Sequence, residues 1–220
     1  MKRKHFIKKG LLSISTLIGI PVVASACKKN ETDPEDLNCP RAPVETAGPF
    51  PIRTPTELMR ANIAGDRTGV ALLIQLNIKN AADNCQPLAG ALVDIWYCDK
   101  DGNYSEYGNH RNSSFLRGRQ STDANGQVAF IGIYPGWYPG RAPHLHVEVL
   151  DSKGKSMRIT QIAFPEAINE AVYASEGYRG PADTSNDRDG LFRDSLDANM
   201  ANEISGNNTE GYTLIKDIIV

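Results

Sequence analysis

Two histidines separated by one residue, His144-Leu145-His146, are the residues of this 220-residue chain best suited to chemistry. Side chains alternate between faces along a strand. His144, His146 and Glu148 would therefore share one face, and Leu145, Val147 and Val149 the other, which belongs to a core. Two imidazoles side by side can converge on iron, zinc, copper or nickel. A solvated strand face that happens to carry histidine is the competing reading of the pair alone. The segment just upstream, residues 135–143 (PGWYPGRAP), shifts that balance. Its prolines and glycines fix a non-repetitive backbone and place Tyr138 and Arg141 beside the histidines. A phenolate is a hard anionic oxygen donor, but a free phenol titrates at about 10 and needs a strong Lewis acid to ionise at neutral pH. An arginine held nearby could stabilise an anionic substrate or intermediate.

The elements that must position these residues read as β-strands. Residues 70–78 (VALLIQLNI), 91–98 (ALVDIWYC), 127–134 (QVAFIGIY), 144–150, 158–164 and 212–220 are rich in branched, aromatic and apolar residues. Turn residues separate them, for example Asp99-Lys100-Asp101-Gly102 and Asp151-Ser152-Lys153-Gly154. Short strands punctuated in this way predict an all-β fold, a β-sandwich. Residues 166–174 (EAINEAVYA) suit one short helix, and residues 176–208 are loop-rich. Long loops on a rigid scaffold are where function often sits.

The N-terminus carries an address. Lys2, Arg3, Lys4, Lys8 and Lys9 precede an apolar run, residues 11–23, which is followed by Ala24-Ser25-Ala26-Cys27. This is the pattern of a secretory signal, and the apolar run is short for a membrane span. Small residues directly before a cysteine resemble a bacterial lipobox. Residues 1–26 are then a lipoprotein signal peptide, Cys27 the lipidated residue, residues 27–38 a polar tether, and residues 39–220 the domain. The expected location is the cell envelope, with the membrane reached only through the lipid anchor. Cleavage removes five of the 24 basic groups and none of the 26 acidic ones, so the exported chain is acidic. That argues against a nucleic-acid partner. Export permits one disulfide among Cys39, Cys85 and Cys98. Cys85 and Cys98 flank one hairpin-like region and are the favoured pair, although spacing alone leaves the connectivity open.

An ordered series of motifs ties these readings together: Gly102-Asn103-Tyr104-Ser105, Arg117-Gly118-Arg119-Gln120-Ser121-Thr122-Asp123, Gly126, Phe130, Pro135-Gly136-Trp137-Tyr138 and Arg141-Ala142-Pro143-His144-Leu145-His146. It resembles the intradiol ring-cleavage dioxygenases, in particular their secreted single-domain members. The resemblance implies a transthyretin-like (prealbumin-like) sandwich and Fe(3+) held by Tyr104, Tyr138, His144 and His146, with Tyr138 and His146 axial. Tyr107 is the alternative to Tyr104. Arg141 is implied to support the activated ring, Gln161 to stand behind the ligands, and Gly48, Pro49 and Phe50 to line the substrate cavity. The implied substrates are a small aromatic diol and O2, and the implied product is a cis,cis-muconate. A strand-end glutamine such as Gln161 is, on its own, more often a surface residue. Trp96, Tyr97 and Tyr134 are expected as sheet packing or cavity wall. Two other readings compete. One is a non-catalytic cell-surface lipoprotein binding module on the same sandwich, which leaves the tyrosines, Arg141 and the histidine pair as coincidence. The other is a zinc or copper site, for which phenolate ligands are unexpected.

Overall fold

A computed structural model describes residues 39–220. The signal, tether and lipidated Cys27 expected from the sequence lie outside the described residues. Nine strands follow one another: β1 (Ala71–Asn80), β2 (Gln86–Pro87), β3 (Leu92–Trp96), β4 (Arg117–Ser121), β5 (Gln127–Ile133), β6 (His144–Leu150), β7 (Ser156–Ala163), β8 (Glu203–Asn207) and β9 (Gly211–Ile219). Two short helices, α1 (Glu166–Tyr173) and α2 (Leu196–Asn199), fall between β7 and β8.

The strands form two sheets. In one, β1 is central. It pairs antiparallel with β5 and, at its far end, with β2; on its other edge it runs parallel to β9, which carries β8. The other sheet has the order β4-β3-β6-β7, antiparallel throughout. Alternation explains the first sheet: Leu72, Ile74, Leu76 and Ile78 of β1 and Tyr212, Leu214 and Ile218 of β9 are buried, with half-exposed or exposed residues between them. These side chains meet Val93, Ile95, Leu145, Val147 and Val149 of the second sheet in one hydrophobic core. Each such burial is worth about 1.5–3 kcal/mol before chain entropy is counted. Lys216 interrupts the apolar register of β9, and its Nζ donates to the carbonyls of Ala198 and Met200, 2.7 and 2.6 Å away, at the end of α2.

The second sheet is different. Six of the seven residues of β6 are buried, on both faces. One face meets the core. The other is covered by the segment that precedes β1, where Glu45 N donates to the Ile159 carbonyl (2.9 Å) and Met59 bridges Arg119. This covered outer face holds His144 and His146, so the solvated-face reading of the pair does not hold.

Expected and observed elements agree for β1, β3, β5, β6, β7, β9 and α1, apart from shifts of one or two residues at their ends. The loop-rich region 176–208 contains α2 and the whole of β8. The short strands β2, β4 and β8 were not expected. β4 (RGRQS) has no apolar side chain to signal it: Arg117 and Arg119 are buried through polar contacts. The disulfide joins Cys39 to Cys85, correcting the favoured Cys85–Cys98 pair, and Cys98 is a free, buried thiol. The reason is direction. β3 alone carries the chain roughly 17 Å along the sheet, leaving Cys85 near the end of β1 and Cys98 among the aromatic residues at the opposite end of β3. Among the described residues no helix is long and apolar enough to cross a membrane.

Candidate metal centre

The register of the second sheet sets four side chains in one row across its outer face: Arg117 on β4, Trp96 on β3, His146 on β6 and Gln161 on β7. Trp96 stacks on the His146 ring, with centroids 5.1 Å apart and planes 4° from parallel. Gly48 approaches the same imidazole. A Cβ there would lie 3.1 Å from His146 Cε1, and the backbone has φ +67°, so this contact and this turn both favour glycine. His144 sits two residues earlier on β6, and its Nδ1 is 2.6 Å from the Ala142 carbonyl. That contact places the proton on Nδ1 and leaves Nε2 as a lone pair directed into the site.

Four donor atoms converge there. His144 Nε2 lies 3.1 Å from His146 Nε2 and 3.2 Å from the Tyr138 hydroxyl. The Tyr104 ring stands edge-on to Tyr138 at 5.8 Å, and its buried hydroxyl has no hydrogen-bond partner; nor has His146 Nδ1. The Pro-Gly turn brings Tyr138 to this place. Gly136 packs so closely on Asp99 and Lys100 that a Cβ would meet the Lys100 carbonyl group at 2.5 Å. The turn is thereby pressed onto the loop that carries Tyr104.

Electrostatics show what the cluster lacks. Burial, reinforced by the Arg141 charge, lowers the His144 imidazole to about 3, and burial together with His144 and Arg141 holds His146 well below its ordinary value. Burial also pushes the Tyr104 phenol well above its usual range and the Tyr138 phenol upward. The protein by itself thus keeps two neutral imidazoles and two neutral phenols, with no carboxylate among them. Lone pairs facing one another at such distances are satisfied by a cation, and two phenol oxygens with two imidazoles suit a hard, high-charge metal ion better than zinc. No group of three or more His, Cys, Asp or Glu among the described residues offers another metal site.

Arg141 borders the donors. Its Nε reaches both oxygens of Asp189 (3.1 and 2.8 Å), Nη2 donates to Gln161 Oε1 at 2.5 Å, and Nη1 lies 3.5 Å from His144 Nε2. Asp189 is itself locked by the amides of Ala142 and Leu191, at 2.8 and 2.9 Å. Gln161 is fully buried, contrary to the surface reading, and its Nε2 donates to the Thr46 carbonyl at 2.8 Å. Phe50 packs on Tyr104 at 4.8 Å, while Pro49 between Gly48 and Phe50 is exposed.

The structure thus brings Tyr104, Tyr138, His144, His146, Arg141, Gln161, Gly48 and Phe50 together. Tyr107 is elsewhere, its hydroxyl donating to the Pro51 carbonyl at 2.9 Å. Glu148 lies in the next row, beside Asp94. Tyr97 belongs to the core and Tyr134 bonds Asn169 there, as expected for packing residues. Sequence reasoning missed Asp189, which sits in an aperiodic loop with no motif to mark it, and gave Arg117 no role.

The comparisons with known proteins agree with this geometry. The profile of the Dioxygenase family matches residues 50–169. A hydroxyquinol 1,2-dioxygenase of Corynebacterium glutamicum is 34% identical over 99 residues, covering 44% of this chain and 31% of that protein. A catechol 1,2-dioxygenase of Candida albicans is 32% identical over 111 residues, 40% of this chain and 36% of that one. The aligned segments thus span about a third of these curated relatives. Among solved structures, an intradiol ring-cleavage dioxygenase from Tetranychus urticae superposes with a TM-score of 0.72 at 29% identity, covering 82% of this chain and 94% of that chain. With a family profile spanning more than half of its length and this structural likeness, the chain belongs to the intradiol ring-cleavage dioxygenases.

Proposed function

We propose that this protein cleaves a catechol-type aromatic diol between its two hydroxyl-bearing carbons with O2, giving a cis,cis-muconate-type product. Tyr104, Tyr138, His144 and His146 would hold ferric iron. The observation that carries the reading is the convergence of four donors, three buried and the Tyr138 hydroxyl partly so, without an internal counter-charge. A deprotonated diol could chelate ferric iron held there, and the metal would supply the Lewis acidity that makes the ring reactive toward O2.

The chain's own residues do the rest. Tyr138 is the natural proton store, because burial already favours its neutral phenol and the hydroxyl lies within reach of the donor cluster. Arg141 is pre-aimed. With Asp189 and Gln161 fixing two of its nitrogens, its third side faces the site and can stabilise negative charge developing on the ring. Gly48 leaves room above His146, and Phe50 with Ala47 and Ile52 gives the site an apolar wall that excludes water from the reacting ring.

The two-sheet body is the transthyretin-like sandwich in this reading, and the enzyme works outside the cytoplasm. The N-terminal signal pattern and Cys27 support export and lipid anchoring, and the Cys39–Cys85 disulfide suits an oxidising compartment. The test is the visible spectrum of protein purified without chelators. A broad tyrosinate-to-iron charge-transfer band that moves to longer wavelength when catechol is added anaerobically, followed by muconate formation on admitting air, is the expected result. Protein that stays colourless after iron reconstitution would overturn the proposal.

A further inference from the structure

Arg117 ends the row that contains Trp96, His146 and Gln161, and its guanidinium is completely buried. A buried charge is costly unless every donor is used. Here the donors are used in two directions. Nη1 donates to the Phe50 carbonyl at 2.9 Å, whereas Nη2 and Nε donate to the carbonyl and Oγ of Ser105, at 2.7 and 2.9 Å. Phe50 lines the catechol side of the site in the reading above, and Ser105 follows Tyr104 directly.

Glu106 repeats the link. Its Oε2 lies 3.5 Å from Arg117 Nε and accepts from Arg53 N at 2.9 Å, and its Oε1 accepts from the Thr54 hydroxyl at 2.8 Å. Glu106 is buried and adopts φ +62°, a conformation rare for a residue with a side chain, so the loop is held in a shape it would not choose alone. Tyr107 adds a third tie through Pro51, with its ring packed on Phe50 at 5.1 Å.

We propose that Arg117 and Glu106 form a clasp that fixes two parts of the site at once: the lip, residues 48–54, and the loop that presents Tyr104. Arg117 is then a positioning residue, and its planar fork is what allows one side chain to hold both segments. A lysine has one charged point and reaches only one of them.

The clasp deepens the dioxygenase reading and rests on it for its kinetic consequences, but the coupling itself can be measured without iron. Hydrogen exchange of the metal-free full chain is followed segment by segment in Thr54→Val, which removes the lip's hydroxyl bond to Glu106, and in Ser105→Ala, which removes the hydroxyl that accepts from Arg117 Nε and donates to the Phe115 carbonyl. A clasp requires each substitution to speed exchange in both 48–54 and 103–107, by about three-fold or more. Faster exchange confined to the substituted segment would refute it, whatever the enzyme's activity. In iron-loaded protein, Arg117→Lys should raise KM for catechol about ten-fold and shift the charge-transfer band. Because the clasp couples the two segments, Thr54→Val and Ser105→Ala should each raise KM and move the band, both by less than Arg117→Lys. A folded Arg117→Lys protein with both KM and band unaltered would also sink the clasp. If the wild-type protein forms no band and cleaves no catechol, the dioxygenase reading fails instead, and the exchange result stands separately.

Discussion

Two neighbouring rows on the outer face of the β4-β3-β6-β7 sheet show opposite ways of burying polar groups. In one, Arg119, Asp94 and Glu148 lie side by side across β4, β3 and β6, and Arg119 grips Asp94 through two bonds of 2.5 and 2.7 Å. Arg119 and Asp94 there satisfy each other, with Glu148 half-exposed beside them. One step along the same strands lie Trp96 and His146, with Tyr104 and His144 close by. In that cluster two Nε2 atoms face each other at 3.1 Å, and a phenol and an imidazole nitrogen are buried without partners. Polar groups of the first kind stabilise a fold; those of the second weaken it unless something else completes them. Arg119 and Asp94 in the first row are buried as His146 is in the second, and only Glu148 is half-exposed. What distinguishes a receptor from a brace is whether the lone pairs are answered from within.

Substitution at His146 gives the sharpest test. His146→Leu removes an incompletely satisfied imidazole from an apolar surround, so the metal-free protein should melt no lower than the wild type, while iron content and catechol cleavage fall to background. A large drop in melting temperature would place His146 with the braces. Asp94→Ala should do the reverse. It strands the buried Arg119 guanidinium, whose charge the Asp94 carboxylate favours although burial raises that carboxyl's own pKa, and should cost about 3–5 kcal/mol in denaturant titrations. Iron per folded chain should be unchanged.

How much of this contrast was visible beforehand depended on the kind of signal. β6 was legible to the residue, because Leu145, Val147 and Val149 alternate with the histidines and period-two patterning is what a sheet imposes. The chemistry of Tyr104, Tyr138 and Arg141 was legible as ordered motifs. β4 was not, since Arg117 and Arg119 are buried by hydrogen bonds and ion pairs, which hydropathy does not register. Asp189 was hidden for another reason: it meets Arg141 across 48 residues of chain through a loop without periodicity. The Cys39–Cys85 bridge likewise spans 46 residues and depends on where β1 ends, a tertiary fact.

Asp189 tests the border between the rows, because it is a brace serving the receptor. Asp189→Asn keeps the shape but removes the charge that orients Arg141, so kcat should fall about 10–100-fold with iron retained. Equal loss of iron and activity would mean that Asp189 supports the whole loop rather than the arginine.

The smallest expected effect is a slope. An unfolded chain protonates its histidines below about 6.5, whereas in the folded metal-free protein His144 waits until about 3 and His146 resists protonation strongly. The unfolded state therefore binds more protons as pH falls below about 6.5. Stability contributed by the two neutral imidazoles is intact above that value and is lost progressively as the pH drops toward 3. Each histidine contributes a slope approaching roughly 1.4 kcal/mol per pH unit. Read between pH 6.5 and 5, before most carboxylates titrate, the slope should halve in His146→Leu and persist in Asp94→Ala. An unchanged slope in His146→Leu would mean that the site is open enough to water for His146 to titrate as it does in the unfolded chain, and the distinction between the two rows would then rest on hydrogen bonding alone.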